Sequence, residues 1–400
     1  MRCGDVIMEA QAGFASGERA NNGIVQLRMN NINTSGQFIF DSYLRVPATD
    51  EQINKYKLSY GDVLFNNTNS TDLVGKSAVF LGYEEPIVYS NHFTRIKCKD
   101  EVVSNFYFAW WLLFQWKIRT FANICNIWIG QSAVPRDKLF EMELPLPPLP
   151  EQKRIAEKLN ACMAEVEKAR KAAQEQLAAA QSAKIKIISS VFSESNVLRW
   201  AVNPLGEIAE VVSGVTLGRK LKHGRCRAVP YLRVANVKDG YIDLSDIKHT
   251  PATEDEIERL SLKSGDLLLT EGGDHDKLGR GSYWKADIPE CIHQNHIFRI
   301  RFSADYVMPE FASLQFCSHY GKNYFLSHAK QTTGIATINK KVVNAFPMLV
   351  PLLDEQRNIV SAYNTCSNNV IKIESYVMGQ LEDIRAIPSA LLKQAFNGEL

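Results

Sequence analysis

The sequence predicts an α+β protein: two tandem-repeat globular domains of mixed strands and helices, joined by two long helices that form an antiparallel coiled coil with pseudo-twofold symmetry. Three observations predict it. Segments recur at a displacement of 204 positions, so that Gly61-Asp-Val-Leu-Phe65 returns as Gly265-Asp-Leu-Leu-Leu269, and Asn91-His92-x-x-Arg95-Ile96 returns as Asn295-His296-x-x-Arg299-Ile300. A proline-containing border closes each copy, with Glu151-Gln152 answered by Glu355-Gln356. A long amphipathic pattern follows each border. A period this long marks domain duplication, not a solenoid.

Each element has a local reason. Around Gly61 and Gly265, short Val, Leu and Phe runs are broken by Asn, Gly and Asp, the pattern of strands and turns. Thr49-x-x-Gln52 and Thr253-x-x-Glu256 are capping boxes, so a short helix should start at each. Pro145-Leu-Pro-Pro-Leu-Pro150 ends the first globular part, because proline lacks an amide proton and stiffens the chain; the second copy keeps Pro347 and Pro351. Then Ile155, Leu159, Cys162, Val166, Ala169, Ala173, Leu177 and Ala180 recur at steps of three and four. Ile359, Tyr363, Cys366, Val370, Ile373, Val377, Leu381 and Ile384 occupy the same eight places in the second copy. Such a pattern is a helix with one apolar seam.

The expected partition is a first domain at 1–147, a central helix at 148–195, a second domain at 196–351 and a terminal helix at 352–400. Helices of about 40 residues span about 60 Å, longer than a domain of this size is wide. That length favours seams packed on each other, the alternative being that each packs on its own domain. Pro388 stands where the first copy has Lys184, which predicts a kink or break near the end of the second helix. The offset slips by one where Leu27-Arg28 matches Leu232-Arg233. Gly4-Asp5-Val6 already matches Gly206-Glu207-Ile208, so the strand leading into the first copy should be missing or very short.

Composition bounds the function. The 400 residues carry a formal net charge of only +2, so any nucleic-acid binding must come from local patches. Eight scattered cysteines without a Cys-x-x-Cys pair read as reduced thiols. The apolar run from Phe106 to Trp116 is about half a membrane span, and Met1-Arg-Cys-Gly-Asp5 lacks the apolar core of a signal peptide. The expectation is a soluble cytoplasmic protein.

Catalytic patterns are not found. Gly75-Lys76-Ser77 imitates the end of a phosphate-binding loop, but Ser70 occupies the first glycine position and the second copy reads Gly279-Arg280-Gly281. No Gly-x-Gly run follows a strand to hold a dinucleotide or a methyl donor, and there is no Asn-Pro-Pro-Tyr tetrapeptide of amino-methyltransferases. Cys291-x-His293-x-x-His296 has metal-ligand residue types, yet the first copy keeps only His92 and has Tyr89 at the place of His293, which favours a hydrogen-bonded structural histidine and no metal. No nucleophile has a credible base.

Binding residues are sought where the copies diverge. Arg219, Lys220, Lys222, Arg225 and Arg227 lie in a glycine-containing loop that can neutralise phosphates or remain a solvated basic loop; its counterpart has only Arg19. After the shared Gly-Asp strand, Asn66-Asn67-Thr-Asn69-Ser-Thr-Asp72 contrasts with Thr270-Glu271-Gly-Gly-Asp274-His275-Asp276, and the copies resume at Lys76 and Arg280. Amide and hydroxyl side chains can read base edges. A third pair, Gly130-Gln131-Ser132 against Thr332-Thr333-Gly334, is followed by Arg136 and Lys138 or by Lys340 and Lys341. Together these suggest one scaffold with two different readers.

With these features the chain resembles the specificity subunit of type I restriction-modification systems. The resemblance rests on the repeated Gly-Asp strand, the Asn-His-x-x-Arg-Ile strand, and the border Pro147-Pro-Leu-Pro-Glu151-Gln152-Lys-Arg-Ile155 with its echo at Pro351, Glu355, Gln356 and Ile359. It implies a non-catalytic subunit whose two target recognition domains each read half of a bipartite double-stranded DNA sequence, with the helices as a ruler. Two modification subunits, using S-adenosylmethionine to methylate adenine, and a restriction subunit are the implied partners; no cofactor is expected on this chain. A coiled-coil scaffold with two protein-binding domains is the alternative.

Overall fold

In a computed structural model, residues 1–219, 226–273, 278–303, 305–332 and 335–400 are described. The chain divides into two compact units, Met1–Glu175 with Met378–Leu400, and Gln176–Val377.

In the first unit a four-stranded antiparallel sheet runs in the order Ile7–Ala12, Phe93–Cys98, Val63–Asn66, Ser77–Val79. In the second unit the order is Ala209–Ser213, Ile297–Phe302, Leu267–Thr270, Gly281–Tyr283. Even the register repeats, with Val63 opposite Ile96 and Leu267 opposite Ile300. Each unit adds a second sheet of three strands: Leu44–Val46, Ile24–Leu27 and Ile87–Tyr89, or Lys248–Thr253, Cys226–Leu232 and Ile292–His293. The α+β class read from the sequence is the observed one.

The shared Gly-Asp pair is a turn. Asp62 and Asp266 donate their amides back to Ser59 and Lys263, and Gly61 and Gly265 both sit at φ +88°, a conformation that glycine adopts without a Cβ penalty. The aspartates are buried, and each carboxylate accepts an amide, from Ser59 or from Lys263. Thr49 and Thr253 cap Asp50–Tyr56 and Glu254–Leu260 with both halves of the capping box formed. Arg95 and Arg299 are buried ties that bond Glu9 and Glu210 and donate to the carbonyls of Lys57 and Arg259 near the ends of those short helices.

Two long helices, Leu149–Val191 and Leu353–Phe396, carry the seams. The first unit holds the start of one and the end of the other, and the second unit holds the remaining halves, so the helices run antiparallel within each unit. Ile155, Leu159, Leu392 and Ala395 join the globular core of the first unit, and Phe192 and Val360 join that of the second. The seam thus also packs on the domains at the helix ends, while Ala173, Ala180, Val370 and Val377 are buried further along. Ala169 and Ile373 are exceptions: these equivalent positions are exposed in both copies. The expected break at Pro388 does not occur, and the helix continues to Phe396.

At the start of the second unit, Ala201–Pro204 pairs with Pro347–Val350. In the first unit the equivalent pairing is a bridge between Arg2 and Glu143.

Candidate nucleic-acid interface

The two divergent stretches of each copy come together. In the first unit Thr68–Asn69, Gln131–Ala133 and Asn126–Trp128 form a small antiparallel sheet, with Ser132 opposite Asn69. In the second, Gly272–Gly273, Ile335–Thr337 and Lys330–Thr332 form the same sheet in the same order. Segments about 60 residues apart in sequence thus present one surface.

Its supports are common to both copies. Thr68 and Glu271 donate their amides to the carbonyls of His92 and His296, so the Asn-His motif holds the base of the sheet. Gly75 and Gly279 lie at φ +93° and +61°, and a Cβ there would meet Phe121 or Phe325 at 2.2 or 2.8 Å. Only glycine lets the chain pass these rings and close the loop. In the first unit, Thr71 Oγ1 and Ser132 Oγ lie 2.7 Å apart and the Val134 amide donates to Asn67 O.

Within this frame the residues singled out from the sequence take different places. Asn66 is fully buried, its amide donating to the carbonyls of Thr68 and His92 and its oxygen accepting from Asn69. Asn69 is buried too and accepts the Ser70 amide. These two shape the loop from inside, and neither faces solvent. Asn67 is half-buried, donating to Thr68 Oγ1 and accepting from Thr94. Lys76 is buried and donates to the carbonyls of Met29 and Ile32; burial lowers its pKa. Polar sequence alone does not distinguish such internal braces from readers.

Gln131 and Arg19 are exposed, and so is Lys340, at the start of Lys340–Asn344. Glu271 accepts from His296 Nδ1 at 2.6 Å, and Arg280 is half-buried with its amide on Thr270 Oγ1. Arg219 and Arg227 are spent on acids: Arg219 bonds Glu256 and the Thr216 and Pro251 carbonyls, and Arg227 bonds Glu254 and both oxygens of Glu290. Those bonds lower the pKa of Glu256 and Glu290, so the carboxylates neutralise both guanidiniums at neutral pH. Lys220, Lys222, Arg225, Asp274, His275 and Thr333 lie outside the described residues.

The sequence reading passed over Ile127, Trp128 and Ile129. All three are exposed, Ile127 and Trp128 on the outer strand of the small sheet and Ile129 in the turn that follows, and Trp128 pairs directly with Gln131. Their signal was available: at the constant offset Trp128 meets Thr332, one more divergence between the copies.

The metal-type cluster does not converge. His293 is fully buried, but the hydrogen bond expected of a structural histidine is not made: neither ring nitrogen is bonded to protein, and burial together with Arg299 lowers its pKa to about 3; His296 points outward to Glu271. Among the described residues no group of His, Cys, Asp and Glu could hold a metal ion. A groove of about 610 Å3 in the first unit is lined by Phe38, Phe40, Phe106, Trp110 and Met163, without a His, Cys, acidic or basic side chain, so it offers apolar contact and no acid–base chemistry.

Comparison with known proteins decides the family. The type I restriction modification DNA specificity domain matches twice, over residues 12–176 and 198–382. This chain belongs to that family. As a type I specificity subunit, it carries two target recognition domains, the two copies of the repeat. The specificity subunit of the type I restriction enzyme EcoKI of Escherichia coli (strain K12) is 25% identical over 402 residues, covering 94% of this chain and 82% of that protein. The StySPI specificity subunit of Salmonella potsdam is 26% identical over 406 residues, with the same coverages of 94% and 82%. Among solved structures, the HsdS subunit from Thermoanaerobacter tengcongensis covers 100% of this chain and 96% of that one at 18% identity and TM-score 0.59. A chain from a structural study of complex assembly and conformational transition of the type I R-M system reaches TM-score 0.70 at 18% identity, covering 100% and 97%. These structures share the fold. Among the described residues no helix is long and apolar enough to cross a membrane.

Proposed function

We propose that this specificity subunit reads an asymmetric bipartite DNA target, the domain at 1–147 taking one half and the domain at 196–351 the other, while the helices at 148–195 and 352–400 set the unread spacer. The carrying observation is the small sheet in each unit: identical supports at His92 and His296, and at Gly75 and Gly279, present different side chains. A common frame with unlike faces is what two unlike half-sites require.

The chain itself is non-catalytic in this reading, lacking methyltransferase, nuclease and ATPase motifs. Two modification subunits dock along the helices and bring S-adenosylmethionine, and a restriction subunit joins for cleavage, all in the cytoplasm. Methylation requires the target adenine to leave the stack, and its pocket belongs to the modification subunit. In this reading Gln131, Arg19, Lys340, Glu271 and Arg280 contact the DNA, with Asn66, Asn69 and Lys76 as internal supports. The unbroken sheet-and-helix repeat favours this reading over a protein-binding scaffold.

Methylome sequencing of cells carrying the complete system tests it. The expected result is methylation at a split, non-palindromic motif. A continuous or palindromic motif would overturn the asymmetry. Methyl transfer by the purified chain alone would overturn the division of labour.

A further inference from the structure

The hairpin of the first unit ends in Trp128, Ile129, Gly130 and Gln131, with Trp128 and Gln131 opposite each other across the turn. Ile127 is 66% exposed, Trp128 57% and Ile129 fully exposed. Neighbours along a strand point to opposite faces, so exposure of both Ile127 and Trp128 means that solvent reaches the two faces of the hairpin. The ribbon projects. A patch shaped for a flat protein partner would instead be apolar on one face.

The base of the ribbon is fixed. Ser132 is buried and bonded to Thr71, and its own strand pairs with Thr68–Asn69, Ser132 opposite Asn69 and Ala133 opposite Thr68. The projecting tip is therefore continuous with the surface assigned to DNA. A two-stranded ribbon fits the major groove, where glutamine suits adenine and apolar side chains suit the thymine methyl group.

We propose that this tip enters the major groove of the half-site read by the first unit, with Gln131 on an adenine edge and Ile127, Trp128 and Ile129 against thymine methyl groups. The proposal rests on the reading of this chain as a sequence-specific DNA binder and adds its chemical class of contact. It is a property of one unit only. The second copy has Gln331, Thr332 and Thr333 at the places of the three apolar residues, so the other half-site should not depend on methyl contact in this way.

The test uses the complex of this chain with its modification subunits and the duplex found by methylome sequencing. Each thymine of the first half-site is replaced by deoxyuridine, which removes only the methyl group. The expected result is a loss of affinity of about threefold or more for at least one position, with no such loss for thymines of the second half-site. Trp128→Ala and Ile129→Ser should bind the thymine duplex more weakly and no longer distinguish thymine from uracil at that position, while Trp128→Phe retains the distinction. Their salt dependence should match the parent, because apolar contacts release no counterions.

A first half-site without an A·T pair overturns the proposal, as does undiminished discrimination in both variants. Failure of either variant to assemble with the modification subunits in the absence of DNA would make the tip a protein contact and overturn it too. If the parent complex does not prefer the target over a scrambled duplex, the DNA-binding reading itself fails. That outcome is separable from the others because it precedes any substitution.

Discussion

Gln152 and Gln356 are both fully buried and make the same three hydrogen bonds, 204 positions apart. Each side-chain oxygen accepts the amide of Ser104 or Met308, and each nitrogen donates to two carbonyls, Val102 and Pro147 or Tyr306 and Pro351. The glutamine fastens the first turn of the long helix to the loop before a core helix and to the proline border. Removing it leaves buried backbone groups unpaired, at about 1–3 kcal/mol each where water cannot reach them. Gln356→Ala should therefore destabilise the second unit by about 2 kcal/mol or more, and Gln356→Glu by more, since a carboxylate would face two carbonyls. Urea denaturation of the full chain measures this, and a Glu variant as stable as the parent would count against the clamp.

This glutamine also shows what was legible in the sequence. Its repetition marked the border, and the Gly61 turn, the Thr49 cap and the seam followed from local rules that need no partner. Burial was less legible. Asn66 and Lys76 looked like readers because a polar residue in a divergent loop has the same letters whether it faces water or a carbonyl. Arg219 and Arg227 looked free because the acids that occupy them are distant in sequence, Glu290 being 63 residues from Arg227. Trp128 was missed for the opposite reason: an aromatic residue in a strand reads as core, and only its exposure shows otherwise. Ala169 and Ile373 likewise fit the helical period but fall outside the buried strip.

Exchange of residues 270–276 for the sequence of residues 66–72 should alter the second half-site and leave the first unchanged. The supports at His296, Gly279 and Phe325 remain in place, so the unit should still fold. Methylome sequencing of the complete system carrying the exchanged chain reads both halves at once. Loss of both specificities would mean that the stretch is structural.

Insertion of four residues near Ala178-Ala-Ala-Gln181 lengthens the central helix by about 6 Å and turns its seam by only about 40°. Four residues is thus a phase-preserving step for an apolar stripe that includes Ala173 and Ala180. The unread spacer should grow by about one or two base pairs, at about 3.4 Å each, with both half-sites intact. The methylated motif again gives the answer, and a change of half-site sequence would contradict the separation of reading from spacing.

His293 makes the second unit sensitive to acid. Buried against Gly214 without a hydrogen-bond partner on either nitrogen, it is held neutral down to about pH 3 by burial and by Arg299, whereas the unfolded chain protonates its histidine near pH 6.5. Between those values the unfolded state binds the extra proton, so stability falls as pH falls, by about 1.4 kcal/mol per pH unit once well below 6.5. The first unit has Tyr89 at this place, whose hydroxyl bonds Gln11 and carries no such dependence in this range. From pH 7 to pH 5 the parent should lose about 2 kcal/mol more than His293→Leu, whatever the variant's stability at pH 7. Urea midpoints at the two pH values, followed by a probe in the second unit such as Trp284, decide it. Equal losses in parent and variant would show that His293 titrates normally in the folded protein, and that its burial is relieved before the unit unfolds.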